Sequence, residues 1–274
     1  MLSILKCPVC ELPLSQVSSS YRCTNEHSFD VAKEGYINLL LSNQKKSKDP
    51  GDNAEMMQHR RQFLERGYYQ PLAEYLTSEI DFICSDESPV LLDVGCGEGY
   101  YTGYVQQNLA CQPNCYGVDI SKKAVQYAAK RYRDVVFMVG SVAQLPVLDE
   151  SADCLINIFA PANVAEFARI LKDDGYLLVV TPAANHLRQL REMIYDTIRP
   201  YESGTSADFG QRFRRIKQHN LAYQIQLESA PDIEHLFKMT PFFWSTPAEK
   251  QALILGRNHI EMDVSFSIEV LQKL

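Results

Sequence analysis

Four residues near the amino terminus could hold a metal ion: Cys7 and Cys10 with two residues between them, then Cys23 and His27 with three. A two-residue gap lets two thiolates of one tight turn converge on a single ion. The second pair completes a tetrahedron of three sulfurs and one nitrogen, a donor set that suits Zn2+. Protein fills all four positions, so the ion is structural and leaves no coordination site for water. The spacer from Glu11 to Arg22 contains Pro13 and Ser18-Ser19-Ser20, which suits a hairpin between the two metal-binding turns. A redox pair is the plainer reading of Cys7 and Cys10, but a redox motif needs no Cys-x3-His partner. A segment of about forty residues cannot build a sufficient core alone, and metal closure compensates. Cys84, Cys96, Cys111, Cys115 and Cys154 lack such spacing and are expected as small buried or half-buried residues without a nucleophilic role.

A second constellation lies mid-chain, in Val90-Leu-Leu-Asp93-Val-Gly95-Cys-Gly97-Glu98-Gly99-Tyr-Tyr-Thr102. The apolar run bounded by Pro89 and Gly95 reads as a buried parallel strand, the glycines as a loop that lets backbone approach a ligand, and a helix follows from about Tyr101. A second short strand, Cys115 to Asp119, ends in an acid about twenty residues after the loop, where doubly wound folds bind ribose hydroxyls. Glycines alone could mark a tight turn; loop, strand and acid in register say more. A dinucleotide loop is G-x-G-x-x-G, with its amides aimed at a pyrophosphate. Here the spacing is G-x-G-x-G, and the carboxylates of Asp93 and Glu98 would repel a pyrophosphate. They suit a ligand carrying an ammonium and a sulfonium.

Alternating strands and helices must position these groups. Ser121–Tyr132 has helical character with Ser121 as N-cap. Val135–Val139 is a third strand, Asp153–Phe159 a fourth, Asn163–Leu171 a helix and Gly175–Thr181 a fifth strand. Leu221–Leu227 and Val264–Val270 alternate as closing antiparallel strands would. The pattern is an α/β doubly wound sheet.

The 274 residues allow one large domain or an ordinary domain with a small appendage. With 46% hydrophobic residues the chain has a real core, and wholesale disorder is excluded. A net charge of −7 argues against coating nucleic acid by charge alone, though not against a basic patch on one face. The longest apolar runs, such as Leu177–Val180, fall far short of the roughly 18 residues that a membrane span needs. No secretory signal is seen at Met1-Leu-Ser-Ile-Leu-Lys6. A cytoplasmic, reducing location is expected, where cysteines ligate metal or are simply buried.

The mid-chain stretch resembles the first motif of class I S-adenosylmethionine-dependent methyltransferases, Asp/Glu-x-Gly-x-Gly-x-Gly. The loop Gly140-Ser141-Val142 with Gln144-Leu145-Pro146 resembles that family's adenine-side loop, with Ser141 where an acid is common. A closer resemblance joins both constellations. Ala32 to Leu40, Asp49-Pro-Gly-Asp52, Met57-Gln-His-Arg-Arg-Gln-Phe-Leu64, Gly67-Tyr-Tyr-Gln-Pro-Leu72 and Met239-Thr-Pro-Phe-Phe-Trp244 are very similar to the bacterial 23S ribosomal RNA guanine-N1 methyltransferases, over nearly the whole chain and least over residues 201–220. The resemblance implies a Rossmann-like class I fold with a seven-stranded sheet and a small zinc-binding domain. It divides the chain into a zinc-binding RNA-recognition module (1–40), a helical linker (41–85) and a methyltransferase domain (86–274). It implies S-adenosylmethionine as methyl donor, one structural Zn2+ on Cys7, Cys10, Cys23 and His27, and donor contacts at Tyr69, Gly97, Glu98 and His186. The loop glycines Gly95, Gly97 and Gly99, with Asp93 and Asp119, complete the expected donor site. The substrate implied is a hairpin-loop guanine of 23S rRNA, position 745 being favoured over its neighbour 748.

Guanine N1 carries a proton that must leave before or during methylation, and the sequence names no general base. After the fourth strand stands Phe159-Ala-Pro161, not the Asn-Pro-Pro-Tyr of enzymes that methylate exocyclic amines, which fits a ring-nitrogen target. Phe159, Phe242, Phe243 and Trp244 are candidates to stack on an extruded base. Lys45-Lys46-Ser-Lys48 and Arg212-Phe-Arg214-Arg215-Ile-Lys217 could supply local positive charge for RNA. Two other classes compete: a small-molecule methyltransferase whose zinc finger is only structural, and a non-catalytic zinc interaction module on a nucleotide-binding scaffold. No membrane partner is expected, and a homodimer is left open.

Overall fold

The Ser-rich spacer folds as the expected hairpin. In the computed structural model, which describes residues 3–44, 53–84, 87–196 and 209–274, β1 (Ser15–Val17), β2 (Ser20–Arg22) and β3 (Ser28–Asp30) form a small antiparallel sheet between and beyond the cysteine pairs. Lys45, Lys46, Lys48 and the Asp49–Asp52 motif lie outside the described residues. A two-residue strand, β4 (Ile37–Asn38), follows, then α1 (Ala54–Glu65) and α2 (Gln70–Ile83). Asn53 caps α1 by accepting the Met56 N–H at 2.8 Å, which meets one of the donors a helix start leaves unpaired.

The alternating part then runs β5 (Val90–Val94), α3 (Tyr100–Asn108), β6 (Asn114–Asp119), α4 (Lys122–Arg131), β7 (Val136–Val139), β8 (Ala152–Ile158), α5 (Val164–Ile170), β9 (Leu171–Pro182) and α6 (Arg188–Ile194). It closes with β10 (Phe213–Leu227), α7 (Ala230–Lys238), α8 (Pro241–Ser245), α9 (Ala248–Leu255) and β11 (Ile260–Lys273). Ser121 caps α4 as expected, accepting the Ala124 N–H.

The large sheet has the order β10-β11-β9-β8-β5-β6-β7-β4. Strands β5 to β9 are parallel, and β10 and β11 are antiparallel. This is the doubly wound class I methyltransferase arrangement, with β5 and β8 at the point where the chain reverses direction across the sheet. β4 adds an eighth strand, parallel to β7, from the amino-terminal segment. The closing strands are longer than the alternation in sequence suggests. Arg214 to Gln218 of β10 are exposed on both faces, so these side chains carry no inside–outside pattern to read.

The parallel strands are buried on both faces, and alternate strand residues serve opposite cores. Leu91, Phe137, Ile156 and Leu178 pack under α1 to α4, α6 and α7. Leu92, Val118, Met138, Leu155 and Leu177 pack on the other side, against Phe167 and Ile170 of α5 and against Leu5, Leu14, Ile37 and Leu39. The amino-terminal segment therefore covers part of one sheet face. No helix among the described residues is long and apolar enough to cross a membrane.

Candidate active site and metal centre

The two metal-binding turns are built alike. Glu11 N–H bonds back to the Cys7 carbonyl and Glu26 N–H to the Cys23 carbonyl, at 2.8 and 3.0 Å. Glu11 and Glu26 both take left-handed backbone, each with φ near 62°. These turns bring Cys10 Sγ to 3.6 Å from Cys23 Sγ, and place His27 Nδ1 3.6 Å from Cys7 Sγ and 3.4 Å from Cys23 Sγ. All four donor atoms lie within 4.8 Å of one another. With Zn–S near 2.3 Å and Zn–N near 2.05 Å, a regular tetrahedron has edges of about 3.8 Å between sulfurs and about 3.6 Å from sulfur to nitrogen. The observed separations fit that figure.

The second site is a cavity of about 590 Å3 at the carboxyl ends of the parallel strands, where doubly wound sheets bind ligands, and within the roughly 300–1,000 Å3 typical of small-molecule sites. All eight residues expected at the donor site except Gly99 line it: Tyr69, Asp93, Gly95, Gly97, Glu98, Asp119 and His186. Gly99 instead starts α3 with φ 81°. A Cβ on Gly95 would sit 2.3 Å from that of Ala160, so the loop can pass β8 only as glycine; a Cβ on Gly97 would meet no atom within 4 Å.

Asp119 shapes the loop with both carboxylate oxygens, accepting the Gly97 N–H at 3.0 Å and the Ser121 N–H at 2.7 Å. Asp93 is buried and accepts the Thr102 hydroxyl at 2.6 Å on one oxygen. Its other oxygen is buried without a partner, as is the hydroxyl of Tyr101 on the same cavity wall. Burial pushes the Asp93 carboxyl up to about 7; the Thr102 hydroxyl opposes the rise, and nearby Asp119 and Glu98 add to it. Burial also raises Glu98, against the pull of Arg60. Two carboxyls held ready to ionise beside an orphaned acceptor fit a ligand with positive charge.

Across the cavity, Tyr69 sits at the start of α2, wedged edge-on against Phe63 and Phe266. Its hydroxyl is 3.4 Å from His186 Nε2, while His186 Nδ1 accepts the Ser265 backbone N–H at 3.3 Å. Burial depresses the His186 pKa to about 3, so the ring is neutral.

Both halves of the chain match known families. Residues 5–48 match the zinc-ribbon profile described as RlmA, N-terminal, and residues 92–179 match a methyltransferase domain. A Bacillus subtilis (strain 168) relative, assigned the name 23S rRNA (guanine-N1)-methyltransferase YxjB, is 32% identical over 98% of this chain and 96% of its own. The chain belongs to the 23S rRNA (guanine-N1)-methyltransferase family. A Streptomyces fradiae member, 23S rRNA (guanine(748)-N1)-methyltransferase, is 30% identical over 96% of this chain and 95% of its own. A third, from Micromonospora griseorubida, is 32% identical over 93% and 92%. The cofactors are S-adenosylmethionine as methyl donor and one structural zinc.

The structure separates the aromatic candidates. Phe159 and Phe242 line the cavity; Phe243 and Trp244 do not. Phe159 follows β8 in left-handed backbone, φ 53°, and is 43% exposed at the cavity mouth. Phe243 packs on Phe237 and under Lys238. Asn157, the polar residue of β8, bonds to the carbonyls of Val94 and Pro161 and so braces the two loops. The Arg212–Lys217 cluster lies away from the cavity. Arg214, Arg215 and Lys217 bond to Gln272, Glu269 and Glu79. Arg214 pairs with Gln272 and, through it, with the Tyr176 end of β9, opposite the cavity-facing end at Pro182. Seven residues of strand, roughly 23 Å, separate Arg214 from Leu221 at the cavity level. The cluster is therefore remote from the cavity.

Sequence reasoning gave no role to Thr102, Ser265 or Arg60. Thr102 holds Asp93 from one helical turn into α3, and a hydroxyl nine residues after the motif acid was the available signal. Ser265 acts through its backbone, which side-chain identity cannot reveal. Arg60 lies in the quoted Met57–Leu64 motif and lines the cavity beside Glu98.

Proposed function

We propose that this chain transfers the methyl group of S-adenosylmethionine to N1 of a hairpin-loop guanine in 23S rRNA. The supporting observation is that zinc site and donor cavity occur together in a chain similar, end to end, to relatives named for that reaction. When bound, the donor supplies an electrophilic methyl on a sulfonium. Tyr69, Asp93, Gly95, Gly97, Glu98, Gly99, Asp119 and His186 form its site. Asp119 fixes the loop and is placed for the ribose. Asp93 and Glu98 favour the donor's positive charge, and Tyr69 with His186 closes the opposite wall.

Phe159, open to solvent at the mouth, stacks on the guanine, with Phe242 opposite. Catalysis is then positioning and exclusion of water. His186 is not the base that takes the N1 proton, because its only free lone pair, on Nδ1, already accepts the Ser265 N–H. The division into residues 1–40, 41–85 and 86–274 is retained as a proposal, with RNA recognition assigned to the first segment. A ribosomal RNA substrate implies action in the cytoplasm, and a homodimer remains a proposal for sedimentation to decide.

The test is incubation of the protein with labelled donor and undermethylated 23S rRNA, followed by reverse transcription. N1-methylation blocks Watson–Crick pairing, so extension should stop at one hairpin guanine, expected at 745. A stop at 748, the position in the Streptomyces fradiae name, moves the target without changing the chemistry. Label in a metabolite fraction and none in RNA would overturn the proposal in favour of a small-molecule methyltransferase.

A further inference from the structure

We infer that the zinc module is part of the donor-binding machinery: it holds the loop from Gly140 to Leu148, so that metal occupancy sets the affinity for the methyl donor. This rests on the donor reading of the cavity and is independent of which substrate accepts the methyl group.

The loop leaves β7 and forms one wall of the cavity through Gly140, Val142 and Leu145. Its far side is clasped by the amino-terminal segment. The Lys6 N–H donates to the Pro146 carbonyl at 2.9 Å, and the Leu148 N–H donates to the Ile4 carbonyl at 2.8 Å, a two-bond ladder with Leu5 facing Val147. Leu39 N–H reaches the Val139 carbonyl at 3.0 Å just before the loop, and the Gln44 side chain donates to Gln144 at 3.0 Å. Leu5, Leu14, Ile37 and Leu39 share one apolar cluster with Met138, Leu145 and Val147.

The clasp is tied to the metal site by the chain itself. Lys6 and Leu5 directly precede the ligand Cys7, whose N–H bonds to Leu12, and Leu14 N–H bonds to the Leu5 carbonyl. The first metal-binding turn therefore fixes the segment that fixes the loop. A segment this short has no core of its own to hold that shape once the ligands are released. From the opposite side Glu166 accepts the Leu145 N–H at 2.6 Å and Asn163 donates to the Val142 carbonyl. Loss of the zinc clasp thus loosens the wall without abolishing it. The expected result is weaker binding, not absent binding. A sub-ångström shift of a cavity wall is enough to lose contacts with a rigid nucleoside.

The test compares zinc-loaded and chelator-stripped full-length protein by calorimetry with S-adenosylhomocysteine, alongside hydrogen exchange. Removing zinc should weaken binding about tenfold and speed exchange in 136–148 while β8 and β9 stay protected. The Leu5→Ala variant, which keeps all four ligands, should bind S-adenosylhomocysteine several-fold more weakly at full zinc content. It supplies the reading if chelation unfolds the chain. Equal affinity with and without zinc, or unchanged affinity in folded Leu5→Ala protein, overturns the inference. No heat from the zinc-loaded protein would instead overturn the donor reading itself.

Discussion

The hydrogen bond between His186 and Tyr69 has a fixed direction. His186 Nδ1 accepts a backbone N–H, so the single proton of the neutral ring is on Nε2 and is donated to the Tyr69 oxygen. The Tyr69 proton must then point away from His186, and accepting one hydrogen bond strengthens the donation of another. Nitrogen-15 spectra should show His186 as the Nε2–H tautomer, with no titration between pH 8 and 5. Tyr69→Phe should weaken donor binding about tenfold, the worth of a hydrogen bond to a charged group, and lower stability by about 1–3 kcal/mol because the buried His186 Nε2–H loses its acceptor. A titrating His186, or full affinity in the Phe variant, would refute this arrangement.

Asp93 sets stability against binding. Its carboxyl is raised from 3.8 to about 7 in the folded chain, so its contribution to the stability of the donor-free protein is fully present below pH 3.8 and lost as pH rises through 7. Asp93→Asn should remove that dependence, giving a donor-free melting temperature at pH 8 equal to or above that of the parent. Donor affinity should fall in the same variant, and in the parent it should decline as pH drops below 7. Calorimetry and thermal melts across pH check both signs.

The two loop glycines should fail differently. Gly95→Ala meets Ala160 at 2.3 Å and should destabilise the fold by about 3 kcal/mol or more through overpacking and left-handed strain. Gly97→Ala meets no atom and should cost only about 1–2 kcal/mol of strain. Its methyl group should nevertheless block donor binding. Melting curves paired with donor titration distinguish the two.

Cys10→Ser removes one of four zinc ligands. The expected outcome is loss of the single bound zinc by mass spectrometry and a lower melting temperature, because metal binding is coupled to folding of the module.

Phe159→Ala should lower kcat/KM for RNA about tenfold or more, within the roughly 1–3 kcal/mol of a base–aromatic stack, and leave donor affinity unchanged. Replacing Lys45, Lys46 and Lys48 together should weaken RNA binding in a salt-dependent way. The same replacement of Arg214 and Arg215 should not.

What could be read from the sequence was local. The Cys7-Cys10 pair, the Cys23-His27 pair and the run from Asp93 to Gly99 each fit within one turn or loop, so residue spacing alone carries their geometry. Ser121 as a helix cap is equally local. The rest depends on contacts distant in sequence. Ser265 meets His186 across 79 residues, and β4 finds β7 a hundred residues away. The partners of the Arg212–Lys217 run appear only when β10 is laid beside β11, where Glu269 and Gln272 face it. Periodicity shows which residues are buried, not which element buries them.

Because Leu5, Leu14, Ile37 and Leu39 help cover the Leu92, Val118 and Met138 face of the sheet, the amino-terminal segment is no transplantable cassette. Trimming it away would leave an apolar surface in water and invite aggregation. Sequence change in this segment is thereby confined to its outward side, around exposed positions such as Val9 and Val17, while the inward side is frozen by its packing on the large sheet.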